Sequence, residues 1–202
     1  MAVSVLFAEN QEEQENPFRL NINLGMNLGL ENLEYRGVEF DSSIFNFSAV
    51  FELGYITETN LIAGMQMNFA LATSTHDEEI EGNVYSCDFN GTSCQFGPFV
   101  GKVFGRNKNV QILFFPILIE PVNYSEYEIY RDDNTFYKDE KERDFARYKS
   151  AVRFDFQFGS GQVRHGFFIG SNFIWYSSGD FKNSKGMDLM AGYKLSLVPT
   201  LL

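Results

Sequence analysis

Residues 18–30 alternate strictly between apolar and polar positions. Leu20, Ile22, Leu24, Met26, Leu28 and Leu30 fall on one face, and Asn21, Asn23, Gly25, Asn27 and Gly29 on the other. A period of two is the geometry of a β-strand, whose successive side chains point to opposite faces. The polar face carries neutral amides and glycine rather than Lys and Glu, which suits a cramped, wet barrel lumen better than a soluble sheet. The run is also long enough to cross a bilayer as a tilted strand, which needs about 9–11 residues.

The same alternation recurs along the chain. In residues 43–58, Phe45, Phe47, Ala49, Phe51, Leu53 and Tyr55 oppose Asn46, Ser48, Val50, Glu52 and Gly54. In residues 60–73, Leu61, Ala63, Met65, Met67, Phe69 and Leu71 oppose Gly64, Gln66 and Asn68. Residues 95–105 set Phe96, Val100 and Phe104 against Gly97, Gly101 and Gly105; Phe99 and Val103 join the glycine face and Lys102 the outer one. Residues 109–120 are apolar on both faces and hold Pro116, which predicts a bulge or a local loss of pairing. Three further segments, 145–158, 162–176 and 186–201, return to clear alternation, for a total of about eight strands, a common barrel number.

The connections sort by parity. Links 57–60, 106–108 and 159–161 are short; links 32–41, 74–93, 121–144 and 177–185 are longer. Short turns at one end and long loops at the other are the expected asymmetry of a bacterial outer-membrane barrel, and a soluble sandwich has no reason to produce it. The expected fold is therefore all-β: an eight-stranded antiparallel up-and-down transmembrane β-barrel with short periplasmic turns and long outer loops. Residues 17–202 form the barrel and residues 1–16 a tail. The tail's opening, Met-Ala-Val-Ser-Val-Leu-Phe-Ala, resembles the end of a signal peptide without its basic region, or else a disordered terminus.

Composition agrees with this picture. Aromatics reach 16%, with 22 Phe and 10 Tyr, and aromatics favour strands and membrane-interface girdles. The longest uninterrupted apolar run, 112–119, is far short of the roughly 18 residues of a spanning helix. A net charge of −11 argues against nucleic acid, which is bound by neutralising phosphates with Lys and Arg. Acidic residues cluster at Glu12, Glu13 and Glu15 and from Asp77 to Glu81, and read as solvated segments.

From about Phe18 to Leu201 the chain resembles the small outer-membrane barrels of the OmpX, OmpA-transmembrane and OmpW type. The resemblance is architectural, carried by the alternating segments and the loop parity. It implies residence in the bacterial outer membrane with the long loops facing the cell exterior, outer-membrane lipid as the surrounding partner, and a monomer. Such barrels close on a terminal aromatic; here the chain ends Pro199-Thr200-Leu201-Leu202, and Tyr193 is the candidate for that part.

Three sets of residues carry candidate chemistry. Glu52, Arg147, Lys149, Arg153, Asp155, Arg164, Asp188 and Lys194 fall on the inner face. They read either as a solute path or as a polar network that plugs the lumen, and an eight-stranded barrel is just wide enough for side chains to fill it. The 121–144 link reads as a hairpin continuing beyond the membrane, with Tyr124, Tyr127, Tyr130, Phe136 and Tyr137 flanking a turn at Asp132-Asp133-Asn134. Aromatics on a surface projection suit binding of a host or cell-surface ligand by edge pairing or Tyr anchors; a solvated loop is the other reading. Cys87 and Cys94 are a disulfide candidate, worth about 2–3 kcal/mol if they close a short loop. No metal or cofactor is expected, since no further ligand stands at the right spacing.

Function is expected to be non-enzymatic: a structural or surface-interaction, adhesin-like protein. The OmpW-type resemblance implies an alternative, binding or passage of small hydrophobic molecules along a lumen lined by Phe99 and Val103. A lipid-modifying enzyme would need a site centred on His76 with Ser74 and Asp77, and sequence neighbours rarely form a positioned nucleophile–base pair. The second histidine, His165, belongs at the opposite end.

Overall fold

The computed structural model describes residues 17–35, 38–80, 83–105, 107–131, 136–138, 143–159, 162–176 and 184–198. The tail at 1–16 lies outside them. Every element is a strand: β1 (Phe18–Tyr35), β2 (Val38–Ile56), β3 (Leu61–Ile80), β4 (Asn83–Phe104), β5 (Val110–Arg131), β6 (Phe136–Lys138), β7 (Arg143–Phe158), β8 (Val163–Tyr176) and β9 (Lys185–Leu197). Eight long strands pair antiparallel with their chain neighbours, and β9 returns to β1 to close the ring. The short β6 lies outside this ring, paired only to the far end of β5. Closure leaves no open sheet edge at the level of the barrel wall, as any structure crossing lipid requires.

The alternation expected from sequence sets the two faces. Leu20, Leu24, Leu28 and Leu30 stand outward and exposed, Leu30 at 71%, while Asn21, Asn23 and Asn27 are buried in the lumen. The outward band continues around the wall through Phe47, Leu53, Met65, Leu71, Val100, Phe114, Ile169 and Leu189. A belt of this extent cannot be left in water, since soluble monomers rarely expose more than a few hundred Å² of contiguous apolar surface. Aromatic pairs edge it: Phe18 against Tyr55 at the short turns, with ring centroids 5.2 Å apart, and Tyr148 stacked on Trp175 near the other end at 6.5 Å.

Two local devices shape the wall. On β5, Phe115 and Leu118 are both buried while Pro116 and Ile117 both face out. Two residues occupy one outward step, and the ladders to β4 and β7 each shift register there. This is a bulge at the proline, where the missing N–H makes a regular rung unavailable. Elsewhere, cross-strand glycines make room for rings. Gly54 faces Gly64 across β2–β3 with the Phe99 ring over the pair, and Gly25 faces Gly192 across β1–β9 with the Phe168 ring over them.

Two sequence expectations change here. Links 32–41 and 74–93, read as long loops, are mostly sheet: the β1–β2 ladder runs on to Tyr35 opposite Val38, and the β3–β4 ladder to Ile80 opposite Asn83. Once a hairpin has begun, each further antiparallel rung satisfies backbone groups that a loop would leave to water. The Cys87–Cys94 disulfide is also overturned. Both residues lie on the one continuous strand β4, seven positions apart, and Cys94 is a free thiol. A strand advances about 3.4 Å per residue, so the separation is several times the roughly 5.5–6 Å between Cα atoms that a disulfide spans.

Candidate functional site

The lumen is built in layers. Nearest the short turns, an apolar cluster of Ile56, Ile62, Phe99, Val103, Leu113, Phe115, Leu118 and Ala151 fills the sector below β2–β5 and β7. Beside it lies a neutral charged group. Arg153 Nη1 meets Glu52 Oε1 at 2.5 Å, and its Nε and Nη2 donate to the two oxygens of Asp155 at 2.7 and 2.9 Å. Lys194 Nζ donates to Asp155 Oδ2 at 2.5 Å and to Gln111 Oε1 at 3.2 Å, with Glu52 Oε2 at 3.8 Å. Asn21 Nδ2 completes the shell of Glu52 at 3.1 Å. The Arg153 guanidinium also sits between the Phe115 and Phe168 rings, 5.2 Å from each centroid. Planar, weakly hydrated and five-donor, guanidinium is the cation best suited to such a slot.

A second charged group lies nearer the long hairpins. Arg147 donates to Glu31 Oε1 at 3.0 Å and to Glu120 Oε2 at 2.8 Å. Lys149 Nζ lies 3.0 Å from Glu120 Oε2 and 3.7 Å from Asp188 Oδ2. Ser93 Oγ donates to Glu120 at 2.9 Å, and Asn172 Nδ2 to Asp188 at 2.5 Å. Arg164 stands apart, its Nη1 donating to the Asn107 carbonyl at 2.8 Å at the short-turn mouth. All eight inner-face residues expected from sequence are buried, and seven of them fall into these two groups.

Glu31 and Glu120, the acceptors that organise the second group, escaped sequence reading. Glu31 lies one step past the alternating run, in what read as the approach to a link. Glu120 was hidden by the bulge: the extra residue at Pro116–Ile117 returns Leu118 and Glu120 to the inner face. The proline was the available signal. Between the charged groups, Asn27, Gln66, Asn68, Gln95 and Asn172 border a cavity of about 20 Å³, room for one or two waters. That is too small for a hydrophobic solute, so the inner apolar face of β4 and β5 is packing rather than a ligand pocket.

Above the lipid-facing belt the composition of the strands changes: past Leu30 and Leu71, exposed on β1 and β3, the sequence runs through Glu34 on β1, Glu39 and Asp41 on β2, and Asp77, Glu78 and Glu79 on β3. Beyond the barrel mouth, β3, β4, β5 and β6 continue as one projecting sheet. The register of β4 and β5 shifts by Ser125; Tyr124, Tyr127 and Tyr130 lie on β5 and Phe136 and Tyr137 on β6, Tyr127 on the rung of Phe89 and Tyr130 on that of Phe136, and the side chains of these five aromatics lie outside what the structure describes.

The histidines are far apart. His76 occupies a rung of β3 opposite Ser42 and Cys87. His165 faces outward on the barrel wall, with Nδ1 hydrogen-bonded to the Tyr193 hydroxyl.

No known family model matches the chain, and no curated protein matches it. Solved structures do. Neisserial surface protein A is similar at 10% identity over 93% of this chain and 100% of its own, with a TM-score of 0.38. Ail, the attachment invasion locus protein of Yersinia pestis, solved with the heparin analogue sucrose octasulfate, is similar at 14% identity over 89% of this chain and 99% of its own, with a TM-score of 0.50. The chain thus has the closed eight-stranded antiparallel barrel fold that Ail has.

Proposed function

We propose that this protein is a monomeric, non-enzymatic barrel of the bacterial outer membrane, its single barrel domain spanning residues 17–202 after a short tail. Its long-hairpin end faces the cell exterior and engages a surface partner through the projecting β3–β4–β5–β6 sheet. The observation that carries the reading is the change of composition along continuous strands. The wall is apolar on its outward face, and the same strands then run on, still paired, through Glu34, Glu39, Asp41, Asp77, Glu78 and Glu79, so the hairpins emerge from the membrane as sheet rather than lying in it. The barrel closes its own edges at membrane level, which supports a monomer. The closed, ion-paired lumen supports a structural scaffold over a transporter. A histidine tied to a tyrosine on the lipid-facing wall supports a non-enzymatic role. Ail was solved with a polyanion, whereas β3 here ends in the acidic run Asp77-Glu78-Glu79 and β2 begins with Glu39 and Asp41, so a ligand of opposite sign fits this chain.

The test places an epitope tag either within 132–134 or within 57–60, in cells expressing the protein. Antibody is expected to label intact cells carrying the first tag and only permeabilised cells carrying the second. The reverse pattern would overturn the orientation. Removing residues 125–142 should abolish attachment of such cells to cultured epithelial cells while leaving the heat-modifiable gel band of a folded barrel. Unchanged attachment would rule out the projection as the binding element.

A further inference from the structure

Where the outward apolar belt ends toward the long hairpins, four strands meet on one row. Asn32 of β1 stands opposite Lys185 of β9, Lys185 opposite Trp175 of β8, and Trp175 opposite Tyr148 of β7. Residues opposed across an antiparallel rung share a face of the sheet. That face is the outer one: Lys185 and Trp175 are exposed and Asn32 and Tyr148 half-buried, while their strand neighbours Glu31, Ser184, Ile174 and Lys149 are buried. One step toward the short turns, the row on the same face holds Leu30, Met187 and Phe173, all exposed. A polar and aromatic row therefore rests directly on the last apolar one.

The chemistry of this row is specific. Tyr148 and Trp175 stack with centroids 6.5 Å apart and planes 19° from parallel, so their rings form one flat apolar surface. The Lys185 backbone runs one strand spacing away, about 4.8 Å. Lys185 has no hydrogen-bond or ion-pair partner among the described residues, and its other rung neighbour, Asn32, is a neutral amide. Lys102, an exposed outward lysine near the short turns, is placed differently. Its rung neighbours are Leu61 and Ile112, with no aromatic beside it. That is the setting of a lone cation reaching for the nearest interface. Interfacial Trp and Tyr by themselves mark only depth in the membrane; a free cation one strand from a stacked aromatic pair marks more.

We propose that Tyr148, Trp175 and Lys185 form a headgroup site for a glycolipid whose sugar carries phosphate. The C–H face of the sugar ring packs on the indole and phenol rings, and the phosphate accepts a charge-assisted hydrogen bond from Lys185 Nζ. A phosphate ester on a sugar stands about one strand spacing from the ring centre, the separation that the Trp175–Lys185 rung provides. The acyl chains then run down the wall over Leu30, Met187 and Phe173. A phospholipid without a sugar would place its phosphate on Lys185 and leave the aromatic surface uncovered. The proposal rests on the reading that this end of the barrel faces the cell exterior, since sugar-headed lipid belongs to that leaflet, and it names which lipid the wall selects.

Trp175 is the only tryptophan of the chain, so intrinsic fluorescence reports on this row directly. The test titrates the full chain, folded in neutral detergent micelles without divalent cations, with four lipids at equal mole fractions of the micelle. They are a diglucosamine lipid bearing one phosphate, the same lipid without phosphate, phosphatidylglycerol and phosphatidylethanolamine. The first is expected to shift the Trp175 emission saturably, and the other three to need at least tenfold more lipid. Lys185→Gln should weaken binding of the first at least tenfold, and Lys102→Gln should leave it unchanged. Both substitutions alter exposed side chains, and the lipid series needs neither. Equal binding of phosphatidylglycerol or phosphatidylethanolamine overturns the sugar, and equal binding of the unphosphorylated lipid overturns the phosphate. Indifference to Lys185→Gln, or an equal loss with Lys102→Gln, overturns the site. Because purified protein is used, failure here is distinct from failure of the orientation, which the tagged cells report.

Discussion

Arg153 is a junction of the lumen: two carboxylates and two aromatic rings converge on it with almost no solvent. Removing one member of a buried ion pair leaves an uncompensated charge, so Arg153→Ala is expected to cost about 3–5 kcal/mol. Arg153→Lys should cost less, since it keeps the charge while losing the fork and the ring stacking. Urea unfolding in phospholipid vesicles measures both. Gly64 is a second such position. A Cβ there would meet the Leu53 carbonyl and the Phe99 ring, so Gly64→Ala should destabilise by about 1–3 kcal/mol. Trimming the ring with Phe99→Leu in the same chain should recover part of that loss, a non-additive pair that a double-mutant cycle detects.

At the scale of the strand, register matters more than identity. The alternation of β1, β2, β3, β7 and β8 was legible in the sequence because one face is lipid and the other a polar lumen, a contrast that period two cannot hide. In β4 and β5 both faces are apolar over much of their length, so periodicity there said little and only Pro116 marked the irregularity. Deleting Pro116 should remove the shift that both ladders of β5 make at this point while keeping Phe115, Leu118 and Glu120 inward. The heat-modifiable gel shift of a folded barrel is expected to survive. Deleting Asn68 from β3, where the ladders to β2 and β4 carry no bulge to absorb the slip, should flip the faces on one side of the cut. Loss of the gel shift in the first variant, or its retention in the second, would contradict this account of the bulge.

For the whole molecule, two ion-paired groups, an apolar cluster and a cavity with room only for water close the lumen. Vesicles containing the purified protein are therefore expected to show no swelling in isosmotic sugar beyond that of protein-free vesicles, and measurable swelling would overturn the filled lumen. The sequence by itself determined the barrel, its strand number and the inward placement of eight of its charged residues, because alternation and loop parity are local signals that survive without coordinates. Partnerships inside the lumen were decided only by tertiary structure. Glu31 pairs with Arg147 and Glu52 with Arg153 across more than 100 residues of chain, and such pairing depends on how the sheet closes. The paired hairpins also decided that Cys87 and Cys94 lie along one strand and that the stretches 32–41 and 74–93 are mostly sheet. Each of these depends on register between strands, a quantity that a single strand's pattern does not contain.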